Sequence, residues 1–491
     1  MGALDQLYDH SLALLTDLYQ LTMAYGYWKL GMADTEASFH LNFRKHPFGG
    51  GFTVACGLHE AIEFLKRMRF DRSDLDYLAT LEGNDGKPLF DRGFLDYLGK
   101  FELACDIDAM PEGTAVFPYE PLVRVMGPLL QAQLLETPLL NLLNFSTLIA
   151  TKAARICLAA KGEPVLEFGL RRAQGIDGGV TASRAAFVGG CAATSNVLAG
   201  KLFGIPVKGT HAHSWVMAFG DELEAFKAYA QAMPNNCVFL VDTYNTLNGV
   251  AHAAEVGKWL RSQAHEMVGI RLDSGDLAYL SIEARKVLDD AGFPRAAILA
   301  SNELDETLIE SLHQQGAKVG VWGVGTRLAT GGDTPALGGV YKLSAIRKPD
   351  DQWEYKIKLS EQTVKTSIPG ILQVRRFVGS DGLFVADAIY DVPTGIQTPC
   401  LIIDPTDQAR RKRIDADARP EDVLLPIFRK GSLVYVPPDL PSVQRRTSDQ
   451  LDRLHPTIKR LVNPHRYPAG LEARLKTIRM EMIERAQWPG G

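Results

Sequence analysis

The sequence predicts an α/β protein built around a parallel (β/α) barrel, with a discontinuous α/β domain at the N-terminus and a helical segment at the C-terminus. Three observations carry this. From about Val165 to Leu343, short β-branched runs alternate with segments of helical period, and steady alternation implies parallel strands joined by helical crossovers. Polar residues follow nearly every run, whereas an open doubly wound sheet, the other architecture with this alternation, gathers its chemistry at one switch point. At 491 residues the chain also exceeds one ordinary core, so two or three domains are expected.

The flank before Leu129 mixes helical candidates (LHEAIEFLKRM, DRSDLDYLATLE) with the extended run GTAVFPYEPLVRVMG. Residues 1–128 are read as an N-terminal α/β domain, completed by the strand-like pieces of about 354–435. The apolar stretch Leu129–Ala160 is interrupted by Glu136, Asn141, Asn144 and Lys152, the mark of a buried helix and not of a membrane span. Residues 129–353 hold the barrel. Its strands are VLEFGL, IPVKGT, CVFLVD, MVGIRLD, AAILASN and KVGVWGVG, with YKLSAI as a candidate seventh. The helices between them repeat apolar residues at three- and four-residue steps. Residues 436–491 (SDQLDRLHPTIKRLV, GLEARLKTIRMEMIERA) are charged and helical, and read as a solvated peripheral element.

Composition narrows the function. An apolar fraction of 46% and a charged fraction of 23% are those of a soluble globular protein. A net charge of -5 argues against nucleic acid as the main partner. The six scattered cysteines contain no C-x-x-C, so a reducing cytoplasm is expected. The N-terminus lacks the basic head and cleavage site of a secretory signal.

In a parallel barrel the strand ends open on one face, where chemistry collects. After the first run come Glu167, Arg171 and Arg172; after the second, Thr210, His213 and Ser214; after the third, Asp242, Thr243 and Asn245. The fourth is followed by Arg271, Asp273, Ser274 and Asp276, the fifth by Ser301 and Asn302, the sixth by Gly323, Gly325 and Thr326. Guanidinium forks grip phosphate, carboxylates bind sugar hydroxyls or offset developing positive charge, and glycines expose N–H groups. The set suits a phosphorylated, hydroxylated substrate. Each piece has a plainer reading as well. The arginines can tie loops, Asp276 or Ser274 can cap a helix, Arg271 and Asp273 can be a buried pair, and the glycines can serve tight turns.

The stretch GIPVKGTHAHSWVMAF places two histidines two residues apart. No third ligand lies nearby with metal-site spacing. His213 is then either a satisfied histidine or a nucleophile or acid/base group facing phosphates, oriented by a carboxylate such as Glu167 or Asp242.

Together LLTDLYQLTMAYGYW, NFRKHPFGGGFTVACGL, EFGLRRAQGIDGGVTASRAAFVGG, GTHAHSWVMAF, VDTYNTLNGV, GIRLDSGDL, ILASNELDE and GVGTRLATGGDTPALGGVYKL resemble the nicotinate phosphoribosyltransferase family, in its order, from about Leu14 to Leu343. The resemblance implies that the barrel is irregular and type II phosphoribosyltransferase-like. It implies a homodimer with shared active sites, and transfer of a phosphoribosyl group from 5-phosphoribosyl 1-diphosphate (PRPP) to nicotinate with coupled ATP hydrolysis. It makes His213 a phosphohistidine, Tyr19 a stacking partner of nicotinate from the other subunit, and Thr210 and Arg271 neighbours of the base. Arg171, Ser214, Gly323, Gly325 and Thr326 would serve phosphates. Asp273, with Glu167, would act in catalysis. Mg2+ or Mn2+ would arrive on the diphosphate and ATP, without a dedicated protein cage. Arg44 and Lys45 are either phosphate contacts or a solvated pair, and His211 is a loop packer or a support for the site. The alternatives are a nicotinamide enzyme of the same chemistry and a non-catalytic nucleotide-binding barrel. The acid is favoured over the amide by the whole motif set and by the absence of a longer insertion before AHS.

Overall fold

The structure is a computed structural model that describes residues 8, 10–348, 351–362 and 365–487. It divides into two compact units, Ile149–Pro335 and the described parts of Met1–Leu148 with Ala336–Gly491.

Ile149–Pro335 carries a six-stranded sheet of β1 (Val165–Glu167), β2 (Ala193–Thr194), β3 (Val238–Leu240), β4 (Gly269–Leu272), β5 (Ala297–Ala300) and β6 (Val321–Val324), in the order β2-β1-β6-β5-β4-β3. Every pairing is parallel. The last strand pairs with the first, Val324 opposite Glu167. The order therefore follows the chain around a ring, with its break between the segment after β2 and β3. Phe239, Ile270, Ile298, Trp322 and Val324 are all buried, as expected of parallel strands covered on both faces. Helices return the chain between strands, and five start on side-chain caps: Asn196, Asp221, Asn245, Asp276 and Asp305 each accept an N–H of the first turn. Asp276, one of two cap candidates in RLDSGDL, fills that role.

Two of the expected strands go elsewhere. IPVKGT forms no ladder. Thr194 donates its N–H to Pro206 and accepts from the Lys208 N–H, making a single parallel bridge at Val207. Pro206 has no N–H to give, so the run cannot extend as an inner strand. Its place beside β1 goes to Ala193–Thr194, at the head of a segment expected to be helical. YKLSAI lies in Val340–Arg347, which pairs antiparallel with Glu36–Asn42 in the other unit.

That other unit holds two large sheets and a two-stranded one of Thr53–Val54 with Ala115–Val116. A seven-stranded sheet joins Val340–Arg347, Glu36–Asn42, Val123–Pro128, Asp106–Ala109 and Leu425–Arg429 through antiparallel ladders, with short edge strands outside them. The second, six-stranded sheet contains Ala469–Glu472 between Cys400–Ile403 and Phe384–Asp391. The C-terminal segment is thus not purely helical or peripheral: Gly470, Leu471 and Glu472 are buried in mid-sheet. The helix Glu136–Ala159 contains the sequence boundary at Leu148 and Ile149. The stretch Leu129–Ala159 is long and apolar enough to cross a membrane, but 72% of its most apolar window is buried in the protein. All six cysteines are free thiols.

The helix Thr246–Ser262 packs on the end of β3 through Gly249, where an added Cβ would stand 2.2 Å from the Val241 carbonyl oxygen. Gly249→Ala should lower stability by about 1–3 kcal/mol, read as a fall in the urea midpoint. An unchanged midpoint would contradict this packing.

Candidate active site

The ends of β4 and β5 and the segment after Val207 meet at Arg271. It sits in β4, flanked by β3 and β5, and its side chain is 16% exposed. Nη1 donates to Thr210 Oγ1 at 2.8 Å, Nε to Ser301 Oγ at 2.9 Å and Nη2 to Asp273 Oδ1 at 3.2 Å. Ser301 Oγ also donates to Asp273 Oδ1. One planar cation thus fixes residues from two strand ends and from the segment after Val207, which a compact ammonium could not do with one geometry.

Asp273 is steered from the other side as well. Its N–H donates to Asp242 Oδ2 at 2.8 Å, and Ser274 Oγ donates to the same oxygen at 2.6 Å. Asp273 Oδ2 lies 3.7 Å from His213 Nε2, with side-chain exposures of 25% and 40%. Nδ1 of His213 faces Thr243 Oγ1 at 3.1 Å. With Nδ1 engaged by the hydroxyl, Nε2 is the ring atom directed toward the carboxylate, at a separation too long for a hydrogen bond. His213 opens the short helix His213–Met217, which Trp215 anchors by donating Nε1–H to the Ala225 carbonyl at 3.0 Å.

Thr210, His213, Arg271 and Asp273 therefore stand together, with Ser214 exposed beside them on the first turn of that helix. Glu167 does not join them. It is 1% exposed, and its carboxylate accepts from the Gly169 N–H, Ser183 Oγ and Thr194 Oγ1. It clamps the β1 end to the helix Gly175–Val188 and to β2. Among the described residues, His213 is faced by Asp273 and Thr243 and not by Glu167 or Asp242. Arg171 and Arg172 project exposed from the turn Leu170–Arg172. Gly323 is required locally, since a Cβ there would meet the Phe168 ring at 2.8 Å. Gly325 precedes the turn Thr326–Ala329, and the Thr326 hydroxyl donates to Glu303 at 2.9 Å. Tyr19 belongs to the other unit, 48% exposed on the first turn of Leu18–Lys29.

Sequence reading placed Thr243 and Ser301 at strand ends but gave them no role. Glu303 was missed altogether. Asn302 and Glu303 take φ of 100° and 29°, a strained pair that no local pattern in ILASNELDE announces.

Family models match the chain over residues 14–144 (nicotinate phosphoribosyltransferase N-terminal domain), 165–354 (nicotinate phosphoribosyltransferase family) and 372–479 (the C-terminal domain). The chain belongs to the nicotinate phosphoribosyltransferase family. The nicotinate phosphoribosyltransferase of Bacillus subtilis strain 168 is 44% identical over 97% of this chain and 96% of its own length. That of Homo sapiens is 36% identical over 95% of each. The crystal structure of human nicotinic acid phosphoribosyltransferase superimposes with a TM-score of 0.82 at 34% identity, covering 96% of this chain and all of that one. A nicotinate-nucleotide pyrophosphorylase of Pyrococcus furiosus, with TM-score 0.68 at 21% identity over 90% of this chain and 95% of that one, shares the fold.

Glu167→Gln puts an amide N–H2 among three donors. It should cost about 1–3 kcal/mol of stability in a thermal melt while turnover per folded molecule stays near wild type. Full stability with abolished turnover would restore a catalytic role to Glu167.

Proposed function

We propose that this protein is a nicotinate phosphoribosyltransferase. It forms nicotinate mononucleotide and pyrophosphate from nicotinate and PRPP, coupled to ATP hydrolysis through a phosphohistidine at His213, in salvage of nicotinate toward NAD. The observation that carries the reading is the Arg271 fork. A half-buried guanidinium that spends N–H groups on two hydroxyls and one carboxylate keeps others to offer a planar carboxylate such as that of nicotinate. Family membership supports the rest.

In the transfer step the nicotinate ring nitrogen supplies the electron pair for a new bond to the ribose C1, and the C1–oxygen bond to diphosphate breaks. Positive charge develops on the ribose ring as that bond lengthens. Asp273, held by Arg271, Ser301 and the Asp242-bound backbone, would offset it or hold ribose hydroxyls. In the energy-coupling step a ring nitrogen of His213 forms a bond to the γ-phosphorus of ATP, ADP leaves with the bridging oxygen, and water later cleaves the N–P bond. Thr243 orients the imidazole for this.

Thr210 would sit beside the base. Arg171, Ser214 and the backbone about Gly323 and Gly325 would meet phosphate, and Thr326 would do so by exchanging its bond to Glu303. Tyr19 would stack on the base from a partner subunit in a homodimer. The ring of β1–β6 is read as the irregular barrel, and the free thiols suit a cytoplasmic enzyme. No group of three or more metal-ligating side chains converges among the described residues. Mg2+ or Mn2+ fits as an ion carried on diphosphate and ATP oxygens, where it would neutralise phosphate charge.

The test is PRPP-dependent mononucleotide formation with nicotinate or nicotinamide, with and without ATP, for wild type and His213→Ala. Wild type should give ATP-stimulated product from nicotinate, and the variant should lose both the stimulation and phosphate incorporation from γ-labelled ATP. Product from nicotinamide alone would overturn the base, and ATP stimulation surviving in the variant would overturn His213.

A further inference from the structure

The ring of parallel strands has one seam that no described backbone ladder closes. Val207 bridges Thr194 on one side, and β3 begins the next run of ladders on the other. Across that seam the Leu240 N–H donates to Nε2 of His211 at 3.2 Å. The donor and the ring are both buried, His211 being 8% exposed. The imidazole packs against Tyr229 and Phe226, with centroids 4.9 and 6.1 Å away, and Phe226 in turn packs on Phe239 of β3 at 4.8 Å. Only a neutral ring has a lone pair for the Leu240 N–H. Burial favours that form and pushes the His211 pKa down to about 4, with Arg271 and His213 acting in the same direction against the Ala212 carbonyl.

The flanking residues turn the other way. Thr210 accepts from Arg271 at 2.8 Å, and Arg271 also reaches the His211 carbonyl at 3.5 Å. His213 faces Thr243 and Asp273. Trp215 returns to the aromatic layer, 5.7 Å from Tyr229. The segment therefore alternates: His211 and Trp215 are rooted in the aromatic layer, with His213 between them on the site face.

We infer that His211 is a positioning residue: its imidazole substitutes for the missing ladder between the segment after Val207 and Leu240, and so sets Thr210 and His213 in register with Arg271 and Asp273. This rests on the reading of Thr210 and His213 given above. An orphaned Leu240 N–H would make the seam open, and the two side chains would lose their places together.

Two variants separate the acceptor from the ring. His211→Phe keeps the aromatic packing and removes the acceptor. His211→Gln discards the ring and sets an oxygen at about the reach of Nε2. In the full-length protein, the Phe variant should raise KM for nicotinate and weaken ATP stimulation, for a combined loss of about 10- to 100-fold in kcat/KM, and the Gln variant should recover most of it. Amide hydrogen exchange over residues 205–215 and 238–241 reads the seam without turnover. It should quicken in the Phe variant and stay near wild type in the Gln variant. If the Phe variant fails to fold, a folded Gln variant with wild-type KM and exchange upholds the acceptor, and a Gln variant with raised KM and quick exchange overturns it. Wild-type kinetics and exchange in a folded Phe variant would likewise overturn the proposal. Absence of nicotinate turnover in the wild type would instead sink the function reading, and exchange would still decide the seam.

Discussion

The chemistry of this fold depends on keeping one guanidinium partly out of water. Arg271 at 16% exposure bears a charge that would be costly without partners, and it has three side chains and a carbonyl around it. Those partners come from positions 61 and 30 residues away along the chain as well as two. Parallel pairing sets the ends of β4 and β5 side by side, and the segment after Val207 brings Thr210 to them. The site thus depends on the sheet order, and its polar groups hold one another through shared hydrogen bonds.

The surrounding backbone is shaped to permit that convergence. Gly249 lets a helix meet the end of β3, next to Asp242. Gly169, at the end of the first strand run, leaves room for Ala329 and Gly325, to which an added Cβ would approach 2.4 and 2.9 Å. Gly323 makes way for Phe168. After β5 the positive φ of Asn302 and Glu303 costs conformational energy, and that turn lets Ser301 face Arg271 while Glu303 receives the Thr326 hydroxyl. A phosphate taken by Thr326 would compete with a neighbouring carboxylate, so this corner differs electrostatically from the Arg171–Arg172 turn.

The alternation of runs and the polar residues after them were legible because period and strand-end chemistry are local properties. Asp276 as a cap was legible for the same reason. The failures are non-local. Pro206 reduces IPVKGT to one bridge although its composition is that of a strand. YKLSAI has the right residues for a strand, but nothing in them names Glu36–Asn42 as the partner. Ala469–Glu472 is a short strand inside a charged helical stretch, visible only through the two strands that enclose it. The donors that hold Glu167 are equally hard to read locally, since two of the three come from residues 183 and 194. His211 gave no signal beyond its nearness to His213, because its partner is a backbone N–H 29 residues away.

The most direct test of the central claim is a double-mutant cycle on kcat/KM for nicotinate with Thr210→Val and Arg271→Lys. If the guanidinium fork and the threonine hydroxyl act as one unit, the second substitution should cost much less once the first is made, a coupling of about 1 kcal/mol or more. Additive losses, or wild-type turnover in the Arg271→Lys protein, would mean that the base is held elsewhere and that the fork only braces the strand ends.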